Sequence, residues 1–220
     1  MRKHYIWKDQ PTLPEPFGNR YIDYDECADD LLSSFANEYE SIRLYHLCRP
    51  INVEKYKTDG LRVGSSELLQ SIVHETFQAL EKEIDSAKIA EAVNSYEYQE
   101  GCLFLALDHE FMLEWAGHYS IYGSERLMAV FEKLGVSKEL LTTVGVPTIV
   151  MADLPLKELP HDDLRLCLIE INNAQIDGIE EIDVAFVLTD TLPASSIVGF
   201  DYPETIVNRL EAGEIYRVRN

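Results

Sequence analysis

The sequence is poor in basic residues. Its 220 residues include 19 Lys and Arg against 39 Asp and Glu, so the formal net charge is −20 and the sequence pI is about 4.6. Affinity for nucleic acid comes largely from Lys and Arg at phosphates, and the same cations attract proteins to anionic lipid surfaces. We therefore expect neither duplex DNA nor a membrane surface to be a partner.

The sequence also lacks long apolar runs and paired cysteines. No run approaches the roughly 18 apolar residues of a membrane span. Near the N-terminus, Lys8, Asp9 and several prolines stand where an export signal needs an apolar stretch. The four cysteines form no C-x-x-C pair, and the chain is too long to depend on disulfides. We therefore expect reduced thiols and a cytoplasmic protein.

Several common catalytic motifs are absent. The sequence contains no G-x-x-x-x-G-K-[ST], G-x-G-x-x-G or G-x-S-x-G, which excludes the usual P-loop, dinucleotide-fold and hydrolase-elbow sites. His74 and His109 are each followed by Glu, as in H-E-x-x-H, but Gln78 and Leu113 stand where the second His is needed. Because a zinc protease needs two His one helical turn apart, we predict no metal site.

The composition favours one globular domain. Hydrophobic residues make up 46% of the chain and aromatic residues 10%, and no Gly/Ser-rich or Pro-rich linker divides it. We therefore predict a single domain over 1–220. Residues 1–24 are rich in Pro and aromatics without periodicity, which predicts an irregular N-terminal arm that packs on the body.

Apolar periodicity predicts the order of helices and strands. The predicted strands are 43–48, 102–108, 146–155 and 181–189, and 192–206 is predicted to be a loop or short strand. The predicted helices are 25–38, 66–93 (the longest), 110–115, 124–134, 137–143, 161–174 and a weak one at 203–213. Because strands and helices do not alternate strictly, we predict an α+β fold with a mixed or mostly antiparallel sheet flanked by helices.

One stretch combines a strand-borne histidine with a glycine turn. His46 lies in the segment YHLCRP at the end of an early strand, a helical turn follows, and Gly60-Leu61 comes about fourteen residues after the His. This order resembles the first motif of the ADP-ribosyltransferase-like superfamily, which includes poly-ADP-ribose polymerases, DNA-modifying toxins and RNA 2′-phosphotransferases. In that superfamily the His holds NAD. Cys48 stands where the family usually has Thr, Ser or Gly.

Two later segments resemble the other motifs of this superfamily. The segment YSIYGSE (119–125) is similar to a strand whose aromatic residue stacks near the nicotinamide, and we expect Ser124 to cap the helix that follows. The third motif is a Glu at the start of a late strand, where it stabilises an oxocarbenium-like transition state. Glu181 is similar in placement, with Glu180 and Asp183 as alternatives.

The resemblance implies a split sheet and an enzyme that uses NAD as a substrate, without a metal. It would transfer ADP-ribose to an unknown macromolecular acceptor or carry out related RNA-phosphate chemistry. The implied catalytic residues are His46, Tyr122 and Glu181, and the implied cofactor-binding residues are Arg49, Arg62, Tyr119 and Ser124. The segments GHYSIYGSE and LPASSIVGF are also similar to an uncharacterised bacterial protein family.

A second hypothesis gives the protein no catalytic role. Residues 63–220 carry a net charge of −18, which suits a non-catalytic antitoxin, immunity or regulatory protein that binds a basic partner. In that case His46 is a buried His bonded to the backbone, the tyrosines belong to the core, and the arginines form surface ion pairs. The two hypotheses differ in whether His46, Tyr122 and a carboxylate from 180–183 converge on one cleft.

Overall fold

The computed structural model describes residues 3–9, 13, 21–23, 28–95 and 101–218. Much of the predicted arm, including Phe17, and the first residues of the helix predicted at 25–38 lie outside the described residues. Within the arm, Tyr5 and Trp7 are buried, and Lys3–Tyr5 forms a strand rather than irregular chain.

Most of the described strands belong to one sheet. The strands are β1 (Lys3–Tyr5), β2 (Tyr39–Cys48), β3 (Leu103–Ala106), β4 (Thr148–Pro155), β5 (Ala185–Leu188), β6 (Ile197–Asp201), β7 (Thr205–Asn208) and β8 (Glu214–Arg217). The large sheet has the order β5-β3-β2-β4-β6 with antiparallel neighbours, and β1 joins β2 in parallel. β7 and β8 form a separate hairpin.

Helices cover both faces of the sheet. They are α1 (Ala28–Glu38), α2 (Glu54–Asp59), α3 (Ser66–Ala79), α4 (Ser86–Asn94), α5 (His109–Trp115), α6 (His118–Tyr122), α7 (Glu125–Lys133) and α8 (His161–Asp177). Successive side chains of a strand point to opposite faces. Accordingly, Ile42 and Leu44 of β2 pack with α1 and α8, while Tyr45 and Leu47 pack with α5 and α6. The predicted α+β class, with a mostly antiparallel sheet flanked by helices, is confirmed.

The helix predicted at 66–93 is in fact two helices. α3 ends at Ala79, Glu81 has a positive φ of 53°, and Asp85 caps α4 by accepting a hydrogen bond from the Ala87 amide at 2.9 Å. The apolar periodicity continues through the break because both helices face one helical core, formed by α3, α4, α6 and α7. The prediction of one long helix was therefore wrong, and α8, with 17 residues, is longer than either.

The C-terminal helix predicted at 203–213 was also wrong. The chain forms β7, a 3-10 turn at Arg209–Glu211 and β8. In β7, the buried Ile206 and Asn208 alternate with the more exposed Thr205 and Val207. Ala212 and Gly213, both with positive φ, reverse the chain between them. Within the described residues, no helix is long and apolar enough to cross a membrane.

Candidate functional site

The two sides of β2 are paired unequally. Its register with β4 runs over eight residue pairs, from Ser41 with Pro155 to Cys48 with Thr148. Its register with β3 consists of one pair, Tyr45 with Ala106. Beyond that pair, the residues that follow Tyr45 and those that precede Ala106 line a cavity of about 470 Å³. The sheet is thus open at this point.

Most of the cavity wall comes from five parts of the chain. It is lined by the end of β2, by α2 and the loop after it, by α3, by β3, and by α6 with the start of α7. The aliphatic lining side chains include Leu61, Leu68, Leu69, Ile72, Leu103, Leu105, Leu127 and Leu141. The surface of the cavity is largely apolar, as in most small-molecule sites, and charged and polar side chains also line it.

His46 lies at the opening of the sheet. Its Nδ1 is 3.0 Å from the Phe104 carbonyl oxygen, and because a carbonyl only accepts, Nδ1 carries the proton. Burial lowers the pKa of His46, and the hydrogen bond to Phe104 opposes this only in part, so the ring is neutral at pH 7. Its Nε2 is then a hydrogen-bond acceptor on a residue that lines the cavity.

The two arginines implied by the resemblance have different surroundings. Arg49 donates to the carbonyl oxygens of Val144 (2.7 Å), Thr142 (2.6 Å) and Ser120 (3.5 Å), so it fixes the loops around the cavity. Burial lowers the pKa of its guanidinium. Arg62 also lines the cavity, is exposed, and forms no hydrogen bond or ion pair with another described residue. Of this pair, Arg62 is the arginine without a hydrogen-bond or ion-pair partner among the described residues.

The second motif has a different conformation from the expected strand. Tyr119 and Tyr122 belong to helix α6, which ends at Gly123 with a φ of +98°. The predicted cap is confirmed, because Ser124 Oγ accepts a hydrogen bond from the Leu127 amide at 3.1 Å. The strand prediction failed because apolar and aromatic residues in so short a run fit either conformation. All three predicted residues, Tyr119, Tyr122 and Ser124, line the cavity.

The structure does not bring Glu181 to this cavity. β5 begins at Ala185 rather than at Glu181, and Glu180, Glu181 and Asp183 are exposed and absent from the cavity lining. The segment before β5 is held elsewhere, because Trp7 Nε1 and Lys8 Nζ donate to the Glu180 carbonyl oxygen at 3.3 and 2.9 Å. The predicted strand start was therefore wrong.

Other carboxylates line the cavity instead. They belong to Asp59, Glu75 and Glu125. Lys55 of α2 donates to both carboxylate oxygens of Glu75 at 2.7 Å, and Ser71 Oγ donates at 3.2 Å. Sequence reasoning missed Glu75, because a charged residue in the middle of an amphipathic helix gives no signal that separates it from a solvated one.

The thiol of Cys48, at the end of β2, is buried and protonated. Burial raises the pKa of Cys48 to about 12, so the group is a thiol rather than a thiolate at pH 7. Its Sγ lies 3.7 Å from the Thr148 carbonyl oxygen. Among the described residues, no group of three or more His, Cys, Asp or Glu side chains is arranged to hold a metal ion.

No protein-family model, curated protein or solved structure matches the chain.

Proposed function

We propose that this protein is an ADP-ribosyltransferase-like enzyme that binds NAD in the cavity between β2 and β3. The observation that supports this most is the position of His46 at the opening of the sheet, in one cavity with Arg62, Tyr119, Tyr122 and Ser124. The volume of about 470 Å³ lies within the range of small-molecule sites, roughly 300–1,000 Å³.

The chemistry of the cavity suits the parts of NAD. The aliphatic wall offers an apolar surface to the planar nicotinamide ring. The neutral His46 presents Nε2 as an acceptor for a ribose hydroxyl. Arg62 supplies a guanidinium at the cavity for a phosphate, a pairing in which arginine binds through several N–H groups at once.

The proposed reaction breaks the bond between C1′ of the ribose and the nicotinamide nitrogen. The bonding electron pair leaves with nicotinamide, and a nucleophilic oxygen or nitrogen of the acceptor bonds to C1′ and loses a proton. The protein needs to position NAD and to place a carboxylate beside the developing cation. We assign this role to Glu75 rather than Glu181, because Glu75 lines the cavity and Lys55 and Ser71 hold its orientation.

Calorimetry tests NAD binding. We expect NAD to bind the wild type and to bind His46→Ala at least about tenfold more weakly, which corresponds to about 1.4 kcal/mol. His161→Ala is the matched control, because His161 is an exposed histidine on α8, and it should leave the affinity unchanged. Absence of heat with the wild type at millimolar NAD would contradict the proposal.

Nicotinamide release tests the assignment of the carboxylate. Glu75→Gln should slow release by about 30- to 1,000-fold, the effect of removing one preorganised electrostatic group. It should leave NAD affinity nearly unchanged, because such a group acts chiefly in the transition state. Glu181→Gln should release nicotinamide at the wild-type rate. The reverse pattern would restore Glu181 as the functional carboxylate.

Two observations favour a second candidate, a non-catalytic protein that binds a basic partner: the charge of the chain, and the absence of Glu180, Glu181 and Asp183 from the cavity that holds His46 and Tyr122. The binding of anionic NAD gives no reason for a formal net charge of −20, whereas the binding of a basic partner does. The two candidates separate in the calorimetry, because an interaction protein needs neither NAD nor His46. A wild type that binds no NAD and releases no nicotinamide with any acceptor would favour this candidate.

A further inference from the structure

The C-terminal hairpin supports the cavity from outside the large sheet. Among the described residues, β7 and β8 pair only with each other, and β7 packs against α5 and α6. Ile206 is 1% exposed and belongs to the helical core. Gly117 allows this close approach, because a Cβ there would lie 2.4 Å from the Ile206 side chain and 2.6 Å from the Val207 carbonyl oxygen. The hairpin is therefore tightly docked beside α6.

One buried side chain of the hairpin reaches a residue of the cavity wall. Asn208 Nδ2 donates a hydrogen bond to the Tyr122 hydroxyl oxygen at 3.1 Å, and both side chains are buried. The Lys138 ammonium lies 5.1 Å from the centroid of the Tyr122 ring and covers one face of that ring. Tyr122 is thus held at its hydroxyl by Asn208 and at one face by Lys138, and it lines the cavity.

We propose that Asn208 is a positioning residue for the cavity, acting through Tyr122. The hydrogen bond from Asn208 is the one that the Tyr122 hydroxyl makes with the described residues. Removing the amide leaves a buried hydroxyl without its partner, which costs more than the hydrogen bond itself contributes. Without this bond the Tyr122 ring is no longer held in one orientation, and the shape of the cavity wall changes. The ligand measurement below rests on the proposed function.

Four single variants and one double variant separate positioning from general support by the hairpin. Asn208→Ala removes the bond, Tyr122→Phe removes the partner, and Asn208→Asp keeps an acceptor for the hydroxyl. The control is Arg209→Ala, because Arg209 docks the same hairpin through Glu114 (2.8 Å) and Trp115 without a contact to Tyr122. Each variant is measured for NAD affinity and for amide hydrogen exchange over residues 123–127, which also line the cavity.

We expect Asn208→Ala to weaken NAD binding about tenfold and to speed exchange over 123–127, whereas Arg209→Ala changes neither. Asn208→Asp should recover part of the NAD affinity and part of the protection from exchange. The double variant, Asn208→Ala with Tyr122→Phe, should bind NAD no more weakly than either single variant, because both changes remove the same interaction. If the wild type binds NAD and Asn208→Ala binds it equally well, the positioning inference is overturned while the proposed function stands.

The exchange measurement keeps the inference testable if the wild type binds no NAD. That result would overturn the proposed function. Faster exchange over 123–127 in Asn208→Ala, with none in Arg209→Ala, would still support the positioning role. Unchanged exchange in Asn208→Ala would overturn it.

Discussion

The two sides of β2 differ in how their backbone is used. On the side of β4, eight residue pairs run along the strand. On the side of β3 there is one, and the His46 side chain hydrogen-bonds the Phe104 carbonyl oxygen next to the opening. Buried backbone N–H and C=O groups need hydrogen-bond partners. Two strands can therefore separate where side chains, such as that of His46, take the place of backbone partners. The cavity lies on the β3 side of β2, which we call the open side. No residue of β4, on the closed side, lines the cavity.

Polar side chains follow the same division. On the closed side, Arg43 of β2 pairs with Asp153 of β4, directly opposite in the register, and both groups are satisfied within the sheet. On the open side, His46 Nε2 and Arg62 have no hydrogen bond to the described protein. The closed side thus contributes stability, while the open side keeps groups available to a ligand.

The largest expected effect comes from a matched pair of core leucines. Leu44 and Leu105 are both fully buried in the core that the large sheet forms with α1 and α8. Leu105 lines the cavity, whereas Leu44 does not. Leu44→Ala should lower the free energy of unfolding by about 3–5 kcal/mol and Leu105→Ala by about 2–3 kcal/mol, because a new void is less costly beside existing space. Denaturant unfolding measures both. Equal losses would mean that the cavity does not relax the packing of β3.

The next effect concerns Asp108, which follows β3 at the closed end of the opening. It is 1% exposed, and its carboxylate accepts from the amides of Glu110, Phe111 and Ile182. Asp108→Ala should cost about 2–3 kcal/mol, because it leaves buried donors without an acceptor and removes a helix cap.

The exposed cap Asp85 provides the control for Asp108. It accepts from one amide, that of Ala87, and Asp85→Ala should cost about 1 kcal/mol or less. Thermal unfolding of the two variants side by side measures the difference. If Asp108→Ala unfolds no more easily than Asp85→Ala, the buried network of Asp108 is not what holds this end of β3.

The smallest effect is a pH dependence from the open side. Burial lowers the pKa of His46 below its ordinary value of 6.5, so the unfolded chain binds a proton at this residue more readily than the folded one. The His46 contribution to stability is therefore present above pH 6.5 and is lost as the pH falls below it. His46→Gln should flatten the acid side of a plot of melting temperature against pH, while His161→Gln should not.

Burial also lowers the pKa of His118, with Glu125 opposing, so His46→Gln should leave part of the slope in place. If His46→Gln keeps the wild-type dependence of melting temperature on pH, the His46 ring is solvated and not enclosed at the opening of the sheet.

The sequence was sufficient to predict the elements that have a clear pattern. Long apolar runs predicted β3 and β4, and Ser124 was recognised as a cap because Glu125 follows it at the start of a helix. Local patterns could not predict the break between α3 and α4, because both helices keep the same apolar spacing toward one core. Phe77 of α3 and Ile89 of α4 belong to the same core as Phe131 of α7, so the apolar spacing continues across the break.

The site was predictable only in part for a related reason. His46, Arg62 and Tyr122 were singled out from short motifs, and the fold places them in one cavity. The opening itself follows from the register between β2 and β3, which no local pattern specifies. Glu75 and Asn208 come from elements that were predicted as an uninterrupted helix and a terminal helix, so neither offered a reason to expect it beside the cavity.

The most direct test of the account is a nuclear magnetic resonance titration of the full chain with NAD. If the ligand binds at the opening of the sheet, amide signals of His46, Phe104 and Ala185 should move at sub-millimolar to millimolar NAD. The β4 signals of Met151 to Leu154 should stay in place, because these residues do not line the cavity. Movement confined to the β4 and β6 side, or no movement at all, would contradict the claim that the open side of β2 is the functional one.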